Sequence, residues 1–458
     1  MSSENLNHSD NKVELKKEIG LAAAISIVVG NMIGSGIYMT PQTLASASNP
    51  KSTMIAWVIT SIGSIIVALV FARLGEKYPA TGGPVFYARK SFGSFAAFLI
   101  AWTYWIGAWI CDAAVITGFL SYLSFFVPVL RESKLLAFGA STLTLWFFTW
   151  INIKGSKQVG IVGLITTVCK IIPLIIFIII AALHFDSANF ASASAPELEG
   201  ANTISVAVGI TLWAFLGLDS ASVAAGDIKN PQKNVKRATL LGIVGTAIIY
   251  MGINVFAMGA ISQTQLANST APLAEVINIA TGSAWGGGFV AMGAIIATLG
   301  ATSGWILITG RIALSAGQEN LFPKVFSKIS PKTHTPVNAL VISAVAANIL
   351  LILNAAGSLR SAYNFMVLIG TLAFLPAYAF SAAGEIILLA KRSSQFNLFI
   401  FVKSSSMSLL AFAYTLYAIY GIGANAVMWG FILMLAGIPF FVYMRMQNKE
   451  INSLEEPL

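Results

Sequence analysis

Three residues of this chain carry a full charge in water yet lie in the middle of apolar runs: Asp112, Lys170 and Asp219. A charge held at the centre of a bilayer costs about 2.5 to 3.5 kcal/mol even on mild insertion scales, so each needs a partner, a water-filled cavity or a neutralising proton. The structural alternative is an ion pair between Lys170 and one of the aspartates. Two apolar runs are also interrupted. The first contains GNMIGSG, with Gly34 and Gly36 flanking Ser35, and the other contains TLWAFLGLDSASVAAG, with Gly217 and Asp219 followed by Ser220 and Ser222. A break in a membrane helix frees backbone groups and exposes the ends of two half-helices, which suit the charged ends of a small molecule. Glycines spaced as Gly30 and Gly34 also fit a helix packing face, so the breaks gain meaning mainly from the charges beside them.

Aromatic residues extend the pattern. Trp213 precedes Asp219 by six residues, and Trp305 follows the small residues ATSG. Both lie away from the ends of their runs, unlike the interfacial belt that Trp102, Trp105 and Trp109 could supply. A cation against such a ring gains about 0.5 to 2 kcal/mol. Tyr104, Ala108, Asp112 and Val115 recur at helical spacing, so one helix face offers a ring, a hollow and a carboxylate suited to an amine or guanidinium. Metal and triad chemistry have no basis here. His8, His184 and His334 are scattered in tails or loops, and Cys111 and Cys169 lie within apolar runs and read as buried thiols. No cofactor is implied.

The elements that must position these groups are membrane helices. The 458 residues are 57% hydrophobic and 10% charged, with mean hydropathy +0.79, where a soluble domain carries roughly a quarter charged residues. Twelve apolar runs of crossing length occur near 19–46, 53–75, 95–126, 134–152, 158–183, 203–226, 238–262, 285–313, 337–355, 362–390, 405–423 and 426–444. They leave a polar N-terminal tail (1–17), too polar for a secretory signal, a transporter-like membrane domain (18–446) and a C-terminal tail (447–458). The net charge of +9 reads as topology rather than nucleic-acid binding. With twelve crossings, Lys51, Arg131, Lys134 and Arg360 fall on one side, and the basic residues of both tails and the other loops, Arg311 included, on the opposite side. Both termini are therefore expected to be cytoplasmic.

The segments GNMIGSGIYMTP, YPATGGPVFYARKSFG, TLWAFLGLDSASVAAGDIKNPQKNV, LANSTAP and GQENLFPKVFSKISPKTHTPV resemble the amino acid, polyamine and organocation (APC) superfamily. Within it the chain is most similar to the bacterial basic amino acid/polyamine antiporters, the arginine/agmatine exchangers above all. The resemblance implies an all-α integral membrane protein of twelve transmembrane helices, a five-plus-five inverted repeat (LeuT-type) with helices 1 and 6 discontinuous. It implies that Ile33, Ser35 and Gly36 meet the substrate backbone, that Trp213 covers the site, Leu216 touches the α-amino end and Trp305 lies under the side chain. Gly107, Ala108, Asp112 and Val115 match the third-helix wall around the distal cation. Tyr104 and Tyr378 match inner-gate tyrosines, and Asp219 stands where the family has a proton-sensing glutamate.

Three residues depart from the arginine exchangers: Asp112 replaces an asparagine, Asp219 is one methylene shorter than the glutamate, and Lys170 resembles a fifth-helix lysine of other branches. Such a lysine stands where sodium-dependent relatives hold an ion, and so could bridge the two halves or carry a proton. The implied function is exchange of a basic amino acid for its decarboxylated amine or another amino acid by alternating access, in the cell inner membrane. A proton-coupled amino acid symporter is the alternative within transport, and a non-transporting sensor or membrane enzyme the alternative of another class. The partners implied are amino acid and amine substrates and the lipid bilayer; a homodimer stays open.

Overall fold

The structure is a computed structural model that describes residues 14–191, 201–269, 271–354, 359–391 and 398–455. In chain order its α-helices are α1 (Leu21–Met32), α2 (Ser35–Ala47), α3 (Pro50–Lys77), α4 (Pro84–Phe92), α5 (Ser94–Phe126), α6 (Val129–Glu132), α7 (Lys134–Lys154), α8 (Ser156–Leu183), α9 (Ser187–Ala191) and α10 (Ala201–Phe215). There follow α11 (Ser220–Val223), α12 (Pro231–Ala260), α13 (Gln263–Asn268), α14 (Pro272–Thr281), α15 (Ala284–Gln318), α16 (Val337–Asn354), α17 (Leu359–Ala390), α18 (Leu398–Ile422), α19 (Ala424–Leu435) and α20 (Ile438–Glu455). Among the described residues there is no strand, only an isolated bridge between Ile19 and Ile228. Ten helical stretches are long and apolar enough to cross a membrane, and two shorter apolar helices, Thr203–Phe215 and Val337–Leu353, occupy the places of the sixth and ninth expected spans. The chain is a multi-pass membrane protein.

Local chemistry sets the helix starts. Asn49 caps α3 by accepting the Ser52 N–H at 2.7 Å, with Pro50 at the first helical position. Ser262 and Gln265 close a capping box on α13. On α8 the residues Ile161, Ile165, Val168, Ile172, Ile175 and Ile179 are exposed at spacings of three and four. The opposite face, including Gly163, Thr167, Lys170 and Phe177, is buried. An apolar outer stripe with small and polar residues inside is the pattern of a helix whose outer solvent is lipid.

The two five-span halves pack as counterparts. α1 lies on α12 as α10 lies on α3; α8 packs on α15 as α17 packs on α5; α1 meets α8 as α10 meets α17. The inverted repeat is thus visible in the packing as well as in the paired breaks. α5 and α15, the third members of the halves, form the centre, with 83% of their apolar stretches buried against 11% for Ala424–Gln447 at the periphery.

Two expectations need correction, while the last expected span is present as Ala424–Gln447 with a turn between α19 and α20, where Trp102 donates its indole N–H to Leu433 O at 2.9 Å and a Cβ on Gly437 would meet its ring at 2.8 Å. Cys169 is exposed on α8 rather than buried. Arg311 is no exposed topology marker: it is 1% exposed and ion-paired with Asp227.

The break in the sixth span requires glycine at 217 for two reasons. Its φ of +96° is strained for a residue with a side chain, and an added Cβ would stand 2.8 Å from Asn31 Cβ across the gap between spans. Gly217→Ala is expected to cost about 1 to 2 kcal/mol from backbone strain alone, and more from the contact. A thermal unfolding curve in detergent indistinguishable from that of the native chain would contradict this.

Candidate functional site

The breaks in spans 1 and 6 face each other across a cavity lined by Asn31, Met32, Gly34, Ser35, Gly36, Val115, Trp213, Leu216 and Trp305. The side chains have closed in on it, leaving a volume of about 10 Å³, room for roughly one water molecule. α2 begins at Ser35, so the N–H groups of Ser35, Gly36 and Ile37 are those of a first helical turn and have no partner within the helix. They form the positive end of a half-helix at one wall. On the other side the chain leaves α10 at Phe215 and turns through Leu216, Gly217 and Leu218 before α11.

Asn31 ties the two breaks together. Its Nδ2 donates to Ser220 Oγ at 2.8 Å, and its backbone oxygen accepts the Trp305 indole N–H at 3.2 Å. Trp305 is thereby fixed, and its ring meets Phe374 at 5.4 Å, which meets Tyr104 at 4.5 Å. Gly34, Gly36 and Gly304 let the walls come this close: a Cβ on Gly34 would stand 3.0 Å from Ala301, one on Gly36 would stand 3.1 Å from the Trp213 ring, and one on Gly304 would overlap Asn31 Oδ1.

The three intramembrane charges have three different environments. The Lys170 ammonium, fully buried, donates to Gly30 O at 3.0 Å and Ile33 O at 2.8 Å. These carbonyls close α1, so the lysine caps the negative end of a half-helix. Among the described residues it has no carboxylate partner, which disposes of the ion-pair alternative. Its bonds join spans 1 and 5 of the same half, so the expected bridge between halves is not made by these contacts.

Asp219 accepts Tyr104 Oη at 2.7 Å on one oxygen and Tyr378 Oη at 3.2 Å on the other. The shorter side chain reaches both tyrosines. Asp112 is 2% exposed and accepts one bond, from Thr309 Oγ1 at 3.0 Å, while its Oδ1 has no protein partner. Thr309 stands one turn beyond Trp305 on α15.

Of the residues singled out from the sequence, the structure gathers Ser35, Gly36, Val115, Trp213, Leu216 and Trp305 around the cavity. It places Asp112 one helical turn beyond Val115, outside the lining. Ala108 is buried, and Gly107 is pressed against α17, a Cβ there meeting Ala373 at 2.7 Å. Ile33 contributes its carbonyl to Lys170 rather than a wall to the cavity. Tyr104 and Tyr378 lie with Asp219 below it. Sequence reading missed Asn31, Thr309 and Tyr363. Asn31 stood inside the quoted glycine motif as a mid-membrane amide, and Thr309 stood four residues after Trp305; Tyr363 carried no signal.

Closures lie on both sides of the cavity. Toward the end of the bundle that carries Ile19, the Asp219 cluster is followed by Tyr87 Oη against Ser222 Oγ at 2.6 Å and by the two-pronged Arg311–Asp227 pair at 2.7 and 2.8 Å. There Ile19 N–H donates to Asp227 O at 2.9 Å, and Lys229 N–H to Ile19 O at 2.8 Å. Toward the opposite end stand Trp213 and Tyr363, joined at 3.2 Å.

A small closed cavity between two broken helices of an inverted repeat, with ionisable groups at its margins, defines a secondary-transporter type of membrane protein. The chain belongs to the amino acid permease family of the APC superfamily, whose profile matches residues 19–444. It is 30% identical over 448 residues to the arginine/agmatine antiporter of Chlamydia caviae, covering 94% of this chain and 91% of that one. It is 28% identical to the arginine/ornithine antiporter of Pseudomonas aeruginosa, covering 93% and 91%. It is 31% identical to the arginine/ornithine antiporter of Latilactobacillus sakei, covering 81% and 79%.

Removing the Lys170 ammonium leaves two buried carbonyls without their donor. Each hydrogen bond to a charged group is worth about 1.5 to 3 kcal/mol, so Lys170→Met, which keeps the volume, is expected to lower unfolding stability by about 3 kcal/mol or more. Thermal unfolding of this variant at the native temperature would show that the ammonium caps nothing that matters.

Proposed function

We propose that this chain is a sodium-independent antiporter that exchanges a basic amino acid of the arginine type for its decarboxylated amine, or for another amino acid such as ornithine. The observation that carries the reading is the cavity itself: a half-helix N-terminus at one wall, an indole face at another, and the Asp112 carboxylate with an unpartnered oxygen one turn beyond. A carboxylate fits the N–H groups of Ser35 and Gly36. The α-amino group fits the sixth-span turn at Leu216, where carbonyls are released from the helix. The side chain extends across Trp305 toward Asp112 and Thr309, past Val115, Gly107 and Ala108. The names of the relatives support arginine as the first substrate to test.

In this reading the closed cavity is an intermediate of alternating access. Trp213 opens toward one side, and the Asp219–Tyr104–Tyr378 cluster toward the other. The distribution of Lys and Arg supports a cytoplasmic Ile19 end with both tails on that side; the proposed location is the cell inner membrane, and the proposed domain limits are 1–17, 18–446 and 447–458. A homodimer is compatible with the broad apolar outer surface. Lys170 occupies α1's carbonyls with its own positive charge, which supports exchange without sodium.

Counterflow in proteoliposomes tests the function. Labelled arginine is expected to accumulate only when arginine, agmatine, ornithine or a similar cation is inside, and equally in sodium and potassium buffers. Uptake into empty vesicles driven by a pH gradient would establish the symport alternative instead, and binding without any uptake would favour a sensor.

Asp112 must be ionised to meet a cation, so proton release and cation binding are linked. Affinity for arginine is expected to weaken as the pH falls. Asp112→Asn should flatten that dependence and shift selectivity toward neutral amino acids. Identical pH profiles and selectivity in the two proteins would make Asp112 a structural residue bonded to Thr309.

If Trp305 stacks on the cationic side chain, Trp305→Leu should weaken arginine by about 1 to 2 kcal/mol, with Trp305→Phe keeping part of the interaction. Equal losses for neutral and cationic substrates would assign Trp305 to packing alone.

A further inference from the structure

Trp213 is held over the cavity by hydroxyls that substrate recognition alone does not require. Its indole N–H donates to Tyr363 Oη at 3.2 Å, and Tyr363 O–H donates to Ser35 Oγ at 3.4 Å. Both rings are buried and meet edge to face, 6.4 Å apart at 88°. The indole is seated between two glycines: a Cβ on Gly36 would come within 3.1 Å of it, and one on Gly370 within 3.2 Å. The relay therefore runs from span 6 through span 10 to the first residue of α2.

Its direction has a consequence. An indole N–H only donates, whereas a hydroxyl has one hydrogen to give and lone pairs to receive. With Trp213 giving to Tyr363 and Tyr363 to Ser35, the Ser35 hydroxyl hydrogen is left to point at an acceptor. An anionic group at the start of α2 is such an acceptor, and it polarises the whole relay in the direction observed. Without an anion, the relay loses the charged group that aligns it. The opposite closure does not depend on a ligand in this way. It contains the ionised pair Arg311–Asp227 and the Asp219 cluster, and charge-assisted bonds are roughly twice as strong as neutral ones.

We propose that Tyr363 is the positioning residue that latches the outer gate, its hydroxyl transmitting carboxylate occupancy at Ser35 to Trp213. The inference rests on the antiporter reading and adds a difference between the two exchanged species. An amino acid carries the carboxylate that sets the relay; its decarboxylated amine does not. The gate over a bound amino acid is held more firmly than the gate over the amine, which favours release of the amine to the outside and retention of the amino acid for the inward step.

The test uses the full chain with Cys111→Ser, Cys169→Ser and Val115→Cys, the last as a reporter in the cavity, with and without Tyr363→Phe. Binding of labelled arginine and agmatine is measured first. The rate at which a charged thiol reagent modifies the reporter from outside is then measured at saturating arginine and at saturating agmatine. Tyr363→Phe keeps the ring and loses two neutral hydrogen bonds, so the rate with arginine should rise about fivefold to tenfold. The rate with agmatine should change by less than about twofold, a difference below what one neutral bond contributes. Ser35→Ala should raise the arginine rate similarly, and the double variant should add little more.

Equal effects on the two ligands, or no effect with binding intact, would overturn the latch while leaving the antiporter reading in place. Loss of arginine binding in Tyr363→Phe with unchanged reporter accessibility would also overturn it, by making Tyr363 a contact residue. Failure of the reporter protein, and of the native chain, to bind either ligand would remove both readings together.

Discussion

A helix that stops halfway across a bilayer leaves backbone carbonyls on one side of the break and N–H groups on the other, and lipid satisfies neither. In this chain the two ends of the first break are treated differently. The carbonyls of Gly30 and Ile33 are taken by the Lys170 ammonium. The N–H groups at the start of α2 are left facing a cavity. One end is made permanent by a side chain of the protein, and the other is kept for a ligand of opposite charge. The location, polarity and sodium independence proposed for the site all follow from that asymmetry.

The second break is subordinate to the first. Gly217 has a positive φ and leaves no room for a Cβ against Asn31, and Asn31 in turn bonds Ser220 and accepts the Trp305 indole N–H on its backbone oxygen. A movement of either half-helix is therefore passed to the other and to the indole beside the cavity. Below them, the Asp219 carboxylate joins spans 3, 6 and 10 through two tyrosines. A single side chain thus reaches across the two halves on one side of the cavity.

Much of this architecture is legible in the sequence because membrane burial is unforgiving. Apolar runs of crossing length reveal the spans, and glycines beside charges reveal the breaks, since no lipid-facing helix tolerates Gly217 and Asp219 together without cause. The relationships between spans are less legible. Asp112 lies on the same helix face as Val115, yet only Val115 lines the cavity, and Asp112 bonds Thr309 instead. Arg311 read as a mark of topology, and only the fold brings Asp227, which follows span 6, to it in span 8. Tyr363 was invisible for the same reason: a tyrosine in an apolar run has no meaning until its hydroxyl is seen between Trp213 and Ser35. Gly437 likewise gave no warning that the turn between α19 and α20 packs against the indole of Trp102, far away in the chain.

The central claim is that the α2 terminus holds an anion while Trp305 and Asp112 receive a cation. An experimental structure with arginine bound tests it most directly. The account predicts the arginine carboxylate within about 2.7 to 3.2 Å of the Ser35 and Gly36 nitrogens, with the guanidinium over Trp305 and directed to Asp112. Arginine found with its carboxylate away from α2, or with its guanidinium directed at Asp219 instead, would contradict the account.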